Sequence, residues 1–172
     1  PVAEYVYRLG PPGGSGSRRA ADGKISALTC VTADRLLVIE QSDDESRLYE
    51  VGIGDATDLL GRDEEEVGAH PVDGIEDLEA AGIRPVRKTL VADLAPLAAR
   101  LQRDIEPGGD GRVPRKLADL KFEGLTVLAD GRIAVLNDND FDVVADGSAA
   151  AAPPRRRTCL WILTVPGVPR PE

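Results

Sequence analysis

KISALT at Lys24–Thr29 and DRLLVIE at Asp34–Glu40 are matched later in the chain by KFEGLT at Lys121–Thr126 and DGRIAVLN at Asp130–Asn137. Each unit has the pattern of a strand, a turn that begins with Asp, and a second apolar strand, and a third apolar run follows both units. Lys, Leu-Thr, the turn and Arg recur in the same order, so we interpret the units as an internal repeat. The alternative is two unrelated hairpins that share common turn chemistry.

Short β-rich runs bounded by Gly, Pro, Asp or Asn dominate the whole chain, and a repeated meander of three or four strands is typical of a propeller blade. We therefore predict an all-β fold, a β-propeller segment of about two antiparallel four-stranded blades with short helical insertions. The first run would be the outer strand of a preceding blade, and the last blade would have three strands. The eight predicted strands are Val2–Leu9, Ile25–Val31, Arg35–Glu40, Arg47–Ile53, Val86–Asp93, Phe122–Leu128, Arg132–Asn137 and Thr158–Val165.

Two longer interruptions separate these strands, and each contains a predicted short helix. The first helix is expected over Ile75–Ala81, before Gly82, and the second over Ala95–Leu101, where a proline stands in the first turn. Stretches rich in Gly, Pro, Ser, Ala and Arg indicate flexible segments. These predicted flexible segments are residues 10–23, 106–115 and 146–157.

The composition excludes several classes of function. The chain has 172 residues with a net charge of −9, which disfavours nucleic acid and anionic membranes as partners, and no apolar stretch is long enough to span a membrane. A single histidine, His70, excludes a multi-histidine metal site within the chain. Cys30 and Cys159 lie on different predicted strands and could form a disulfide or remain thiols. Because the chain begins with Pro1 and contains no Met, we interpret it as a processed or truncated piece of a longer protein.

Acidic and amide side chains stand at the start of the first strand and after the end of the second strand of the second predicted hairpin. Glu123 begins one strand, and Asp138, Asn139 and Asp140 follow the next one. Neighbouring antiparallel strands bring the start of one beside the end of the other, so these oxygen atoms would converge. Six to eight hard oxygen ligands suit Ca²⁺, and the remaining ligands would come from other blades. The alternative is that the Asn-Asp run only forms a tight turn.

The corresponding positions of the first unit are weaker candidates. Ser26 stands where Glu123 stands in the second unit, and it cannot replace a carboxylate ligand. Glu40 and Asp43 occupy the places of Asn137 and Asp140, and they are the secondary candidates for a cation site. Val143 and Ala149 stand where an EF-hand loop needs Gly and Glu, which excludes that motif.

The ordered set of these motifs resembles the phytase-like family, also described as "esterase-like activity of phytase". The resemblance rests on Phe122–Leu128, Asp130–Arg132 and Asn137–Phe141. These stretches follow the family's signature of Glu-Gly-Leu, then Asp-Gly-Arg, then Ser or Asn followed by Asp-Asn, Asp or Asn, and Phe. Further matches run from the first predicted strand to Leu160-Trp161. The resemblance implies that residues 1–172 are the C-terminal part of one phytase-like propeller domain. It also implies an exported protein that hydrolyses phosphate or other esters.

Two classes of function therefore follow from the sequence. The first is a hydrolase of a small-molecule phosphate or carboxylic ester, assisted by a divalent cation such as Ca²⁺ at Glu123 and Asp138–Asp140. The second is a non-catalytic propeller that serves as a binding or scaffold module, in which the acidic turns are structural. In both cases the expected partners are the remaining blades of the same parent chain, and neither nucleic acid nor a membrane span is expected.

Overall fold

The computed structural model describes residues 2–10, 23–62, 77–108, 117–138 and 157–168. This part of the chain is mostly β and contains two antiparallel sheets, which confirms the predicted all-β class. Most of the three predicted flexible segments, the loop around His70, and the candidate ligands Asn139 and Asp140 lie outside the described residues.

The first sheet has four strands in the order β1-β2-β3-β4, and the second has three in the order β5-β6-β7. Every pair of neighbouring strands is antiparallel and consecutive in the chain, so both sheets are meanders. The prediction of a four-stranded unit followed by a three-stranded one is confirmed, while the described residues form no closed ring of blades. The strands are β1 (Lys24–Thr32), β2 (Arg35–Gln41), β3 (Ser46–Gly52), β4 (Arg87–Asp93), β5 (Phe122–Val127), β6 (Ile133–Asn137) and β7 (Leu160–Leu163).

Strand β2 is buried on both faces because apolar layers cover both sides of the first sheet. Leu37 and Ile39 point into a core that the two sheets share with the segment between them. Val38 points the other way and packs with Tyr49 and Val51 of β3. Adjacent side chains of a strand alternate between faces, so a nearly continuous apolar run indicates a strand covered on both sides.

The predicted strand Val2–Leu9 is wrong. Residues 2–9 belong to neither sheet, and their backbone makes isolated hydrogen bonds instead of a ladder. The Leu59 amide donates to the Glu4 carbonyl at 2.8 Å, and the Val86 amide donates to the Val6 carbonyl at 2.9 Å. Both donors precede β4, in the connection that follows β3. A short apolar run such as Tyr5-Val6-Tyr7 indicates a segment that packs on other parts of the protein, but it does not supply the neighbouring strand that a ladder requires.

The connection between β4 and β5 contains the predicted helix, which is confirmed and longer than expected. A 3₁₀ turn over Ala95–Leu97 leads into helix α1 (Ala98–Ile105), and a second 3₁₀ turn, Leu117–Leu120, precedes β5. Helix α1 buries Ala98, Leu101 and Ile105, which are spaced one turn apart, in the shared core.

The other predicted helix, Ile75–Ala81, is not confirmed in the described residues. Residues 77–82 form a hydrogen-bonded turn, while residues 75 and 76 lie outside the described part. The Ile83 amide donates to the Leu78 carbonyl at 2.8 Å, and Gly82 has a φ of +71°, which is the geometry of a helix end. The sequence therefore carries a correct stop signal for a segment whose described residues, 77–82, form a turn and no regular helix.

In the β1-β2 and β5-β6 hairpins, the first strand contains a β-bulge near its start. Ser26 is the extra residue between Ile25 and Ala27, and Glu123 is the extra residue between Phe122 and Gly124. A bulge bends its strand and aims one side chain away from the regular register. A Cβ atom at Gly124 would lie 2.9 Å from Cβ of Leu136, so the Gly of the Glu-Gly-Leu stretch is required by close strand approach.

Candidate functional site

The bulged end of the β5-β6 hairpin brings Glu123 and Asp138 to the same edge of the second sheet. The Asp138 amide donates to the Lys121 carbonyl at 3.0 Å, which continues the strand pairing one step beyond Asn137. Glu123 follows Lys121 by two residues, and its side chain is exposed, while Asp138 is half-buried. The structure thus places these two candidate ligands at one hairpin end, as the antiparallel arrangement predicts.

Asn137 has a structural task at the same end. Asn137 is only 2% exposed to solvent. Its Oδ1 accepts a hydrogen bond from the Cys159 amide at 2.7 Å, and its Nδ2 donates to the Arg157 carbonyl at 3.0 Å. The side-chain amide therefore substitutes for a backbone partner where the chain enters β7. A buried amide that satisfies one donor and one acceptor fixes this entry point.

Asp43 lies in the β2-β3 turn, at the corresponding end of the first sheet. The Ser42 amide donates to the Glu45 carbonyl at 2.8 Å within this turn. The Asp43 carbonyl accepts a hydrogen bond from the Leu117 amide at 2.8 Å, and Leu117 begins the 3₁₀ turn that leads into β5. The acidic β2-β3 turn is thus tied to the segment that leads into β5, the bulged strand that carries Glu123.

The donor chemistry at this end is suited to a hard cation, since the described candidates supply carboxylate oxygens and no thiolate or imidazole. Within the described ranges, no group of three or more His, Cys, Asp or Glu side chains is arranged to hold a metal ion. Glu123 and Asp138 fit such a site chemically, and a full coordination sphere would need further oxygen donors. Asn139 and Asp140, which follow directly, lie outside the described residues.

Glu40, the other secondary candidate, is engaged by an ammonium group that sequence reasoning missed. Its Oε1 forms an ion pair with Nζ of Lys88 on β4 and accepts a hydrogen bond from the Tyr7 hydroxyl at 2.5 Å. Its Oε2 accepts a hydrogen bond from the Gly10 amide at 3.0 Å. The side chains of Glu40 and Lys88 are 11% and 5% exposed. The carboxylate is therefore neutralised inside the protein by partners from two other parts of the chain.

Lys88 uses all of its donor capacity in this network. Besides Glu40, its Nζ donates to the carbonyl of Arg8 at 2.8 Å and to that of Gly10 at 2.5 Å. The same nitrogen lies 4.8 Å from the ring centre of Tyr7 and 4.4 Å from that of Tyr49, in cation–π geometry. We call Tyr7, Glu40, Tyr49 and Lys88 the lysine–glutamate network. It fastens residues 7–10 to the outer face of the first sheet.

The network keeps its tyrosines protonated. Burial raises the pKa of Tyr7 far above the ordinary value of a phenol, and the hydrogen bond to Glu40 and the charge of that carboxylate raise it further. Burial also raises the pKa of Tyr49. A phenol that already donates to a carboxylate cannot easily lose its proton beside that negative charge.

One feature of the sequence indicates this network. At every second position from Val86 to Ala92 the residue is apolar except Lys88, which therefore lies on the same strand face as Leu90.

Both cysteines are free. Cys30 is exposed on β1, and Cys159 is half-buried, with its Sγ 3.4 Å from the carbonyl of Asp104 on α1. Burial and the nearby charge of Asp104 raise the pKa of the Cys159 thiol, which disfavours the reactive thiolate.

In the ranges that the structure describes, no helix combines the length and the apolar character needed to cross a membrane.

Comparison with known proteins identifies the family. The fold defines an all-β protein built from consecutive antiparallel meanders, with an acidic hairpin end. A model of the phytase-like family, described as "esterase-like activity of phytase", matches residues 1–141, and the chain therefore belongs to this family. No curated protein and no solved structure matches the chain. The resemblance inferred from the Glu-Gly-Leu and Asp-Gly-Arg stretches is confirmed.

Proposed function

We propose that this phytase-like chain is part of a domain that hydrolyses phosphate or other esters of small molecules with the help of a divalent cation. The observation that carries the proposal is the hydrogen bond from the Asp138 amide to the Lys121 carbonyl. It brings Asp138 to the hairpin end where the exposed Glu123 lies, within the stretch that follows the family signature. Family membership supports the ester chemistry.

A propeller architecture is part of the same proposal. Both sheets are meanders, both begin with a strand bulged at the corresponding residue, and β1 and β5 are neighbours across the shared core. The outer face of the second sheet exposes Leu136, Leu160 and Ile162, and Leu160 is 64% exposed. Exposed apolar residues grouped on one sheet face mark an interaction surface. The proposed occupants are the remaining blades of the parent domain, of which this chain is the C-terminal part.

The cation would be held by Glu123, Asp138, Asn139 and Asp140, with further oxygen donors from other blades. A divalent cation bound there would offset the charge of a phosphate group and polarise the bond that water attacks. The protein's own contribution is to fix its ligands before the substrate arrives. Asn137 holds the entry into β7, and the Asp138 amide holds the hairpin end, so the backbone that carries the two carboxylates is anchored.

The acidic residues of the first sheet contribute less to the proposed cation site. We assign Glu40 to the lysine–glutamate network, because its carboxylate oxygens already contact Tyr7, Gly10 and Lys88. Asp43 is kept as a secondary donor, since its turn is bonded to the segment before β5. Export of the protein is also proposed, supported by the family alone.

The test uses the full-length gene product that contains this chain. Release of phosphate from a phosphomonoester and of alcohol from a carboxylic ester would be measured with Ca²⁺, after chelation, and after Ca²⁺ is restored. We expect chelation to abolish turnover, and Glu123→Gln and Asp138→Asn to reduce it at least tenfold. Each variant should also weaken Ca²⁺ binding in calorimetry.

The matched control is Glu79→Gln, which removes an exposed carboxylate from a turn in the connection between β3 and β4. It should leave turnover and Ca²⁺ binding unchanged, and circular dichroism should show all three variants folded. Absence of both turnover and Ca²⁺ binding in the folded full-length protein would contradict the proposal. That result would favour the second class of function, a propeller that serves only as a binding or scaffold module.

A further inference from the structure

Gln41 and Ser46 form a buried polar pair at the turn end of the first sheet. They are the last residue of β2 and the first residue of β3, and they stand directly opposite each other in the antiparallel register. Gln41 is 1% exposed and Ser46 is 0% exposed. The Gln41 side-chain nitrogen and oxygen and the Ser46 hydroxyl have no hydrogen-bond partner among the described protein groups.

Both side chains point toward the shared core. Gln41 follows Leu37 and Ile39 at alternate positions of β2, and Ser46 precedes Leu48 on β3, and these three leucine and isoleucine residues belong to that core. Two backbone hydrogen bonds tie this end of the first sheet to the connection between β4 and β5. The Leu94 amide donates to the Ser46 carbonyl at 2.8 Å, and the Leu117 amide donates to the Asp43 carbonyl at 2.8 Å.

Such a pair carries a large energetic cost if nothing bonds to it. A buried polar group without a partner loses its hydration and gains nothing in return, and most buried polar atoms in proteins are bonded to protein or ordered water. Opposite residues of an antiparallel pair have Cβ atoms only about 5 Å apart. The side chains of Gln41 and Ser46 are therefore close enough for one small molecule to bond to both.

The chemistry of the pair selects the ligand. The amide offers two N–H donors and one acceptor, and the hydroxyl offers one donor and acceptor lone pairs, with no net charge. An ion buried against these neutral groups would lack a counter-charge, whereas water can both donate to Gln41 Oε1 and bond to Ser46 Oγ. We propose that Gln41 and Ser46 bind an internal water molecule that joins the ends of β2 and β3 beneath the turn carrying Asp43.

This hydration site would give the turn a fixed position. The turn of residues 42–45 is the connection between the two residues that hold the water, and its Asp43 carbonyl contacts the segment that leads into β5. A water molecule bonded to both strand ends would resist their separation. The inference is independent of the proposed hydrolysis, since it concerns the internal structure of the first sheet.

The test compares Gln41→Leu and Ser46→Ala with two controls in the full-length protein. Ser26→Ala removes a hydroxyl that already donates to the Ile39 carbonyl, and Gln102→Leu removes a half-buried amide from α1. The readouts are a crystal structure resolved well enough to show ordered water, the number of long-lived internal waters from ¹⁷O magnetic relaxation dispersion, and the thermal midpoint.

We expect ordered water within hydrogen-bonding distance of Gln41 and Ser46, and one long-lived water fewer in Gln41→Leu and in Ser46→Ala. Each of these substitutions should lower the thermal midpoint of the full-length protein by up to about 4 °C, because the loss of one net hydrogen bond corresponds to about 2–4 °C in a protein of 150–250 residues and to less in a longer one. The controls should keep the water count. A direct Gln41–Ser46 hydrogen bond in the crystal would overturn the inference. So would an unchanged water count accompanied by a higher thermal midpoint in Gln41→Leu, because that result indicates relief of a dry unpaired amide.

Discussion

The ammonium group of Lys88 on β4 forms a buried ion pair with the carboxylate of Glu40 on β2, across the intervening strand β3. The same two side chains bind the backbone of residues 8 and 10, so one charge pair holds a separate segment of chain against the sheet. Replacement of a whole buried ion pair by apolar groups is often tolerated, whereas loss of one partner leaves an uncompensated charge. The consequences of substitution therefore depend on whether one or both partners change.

Lys88→Met is expected to lower the free energy of unfolding by about 3–5 kcal/mol, because Glu40 would remain buried without its counter-charge. Urea unfolding of the full-length protein measures the loss. The matched control is Arg87→Met, one residue earlier on the same strand, where the side chain is 77% exposed and meets Asp55 only at 4.0 Å. An exposed pair of this kind contributes little, and the control should change stability by less than about 0.5 kcal/mol.

The double variant Glu40→Gln with Lys88→Met separates charge from packing. It removes both charges, so it should recover at least about 1 kcal/mol of the stability lost in Lys88→Met. Limited proteolysis should at the same time cleave residues 2–10 faster in the double variant than in the native chain. The single variant Glu40→Gln completes the comparison. If the stability lost in the double variant equals the sum of the losses in Glu40→Gln and Lys88→Met, the two residues are not coupled.

The lysine–glutamate network should make tyrosine ionisation and stability depend on alkaline pH. Burial raises the pKa of both Tyr7 and Tyr49, so the folded protein retains their protons at a pH where the unfolded chain, with phenols near the ordinary value of 10.0, loses them. Their contribution to stability is thus fully present below about pH 10 and is lost as the pH rises toward the folded values. Spectrophotometric titration should show both phenols ionising above pH 10.

Tyr7→Phe identifies the residue that ionises last. This variant should remove the component of highest pH from the titration and destabilise the protein by about 1–3 kcal/mol, because Glu40 loses a charge-assisted hydrogen bond. Tyr5→Phe is the control at a neighbouring position of the same segment, and it should leave that component in place. Ionisation of Tyr7 near pH 10 in the folded protein would argue against the buried hydrogen bond.

Gly124→Ala is expected to destabilise the β5-β6 hairpin, because the new Cβ would lie 2.9 Å from Cβ of Leu136 and the strands would have to move apart. Overpacking of this kind costs about 1–3 kcal/mol. Gly52→Ala at the end of β3 is the matched control, since its Cβ would meet only the Arg87 side chain, at 3.5 Å. Thermal unfolding compares the two, and equal midpoints would show that the close strand approach is unimportant.

Asn137→Ala should destabilise the entry into β7 by about 1–3 kcal/mol, because the Cys159 amide and the Arg157 carbonyl would lose their partner. Asn137→Asp keeps the acceptor but buries a charge, so its deficit relative to the native protein should shrink as the pH falls and the carboxyl group becomes protonated. The control Thr126→Ala, exposed on β5, should remain within about 0.5 kcal/mol. A deficit of Asn137→Asp that does not change with pH would contradict this role.

The two hairpins could be predicted from sequence because their information is local. Asp130 accepts hydrogen bonds from the amide and the guanidinium Nε of Arg132, at 3.0 and 2.8 Å, and Gly131 adopts a φ of +86°, so the turn is encoded by three adjacent residues. The approach of Glu123 and Asp138 to one end follows from antiparallel pairing alone. The coordination of any cation by these residues stays a prediction.

The remaining features depend on contacts between distant parts of the chain. Glu40 and Lys88 are separated by 48 residues, and nothing near either one indicates the other. Residues 2–9 contain the apolar run Tyr5-Val6-Tyr7, which is typical of a strand, yet their backbone partners belong to irregular connections, and no ladder forms. Likewise the turn end that holds the buried Gln41 and Ser46 is bonded to Leu94 and Leu117, which come from the connection between β4 and β5.

The sequence by itself thus determined the all-β fold class, the hairpin turns, the helix after β4 and the family, because periodicity, turn chemistry and short motifs act over a few residues. Only the tertiary structure decided which charges meet and which polar groups are buried. Burial and pairing depend on how strands and connections pack in three dimensions, and the energy of a charge depends on that environment more than on its neighbours in sequence. Glu40 is the clearest case, since Lys88 makes a candidate cation ligand part of an internal ion pair.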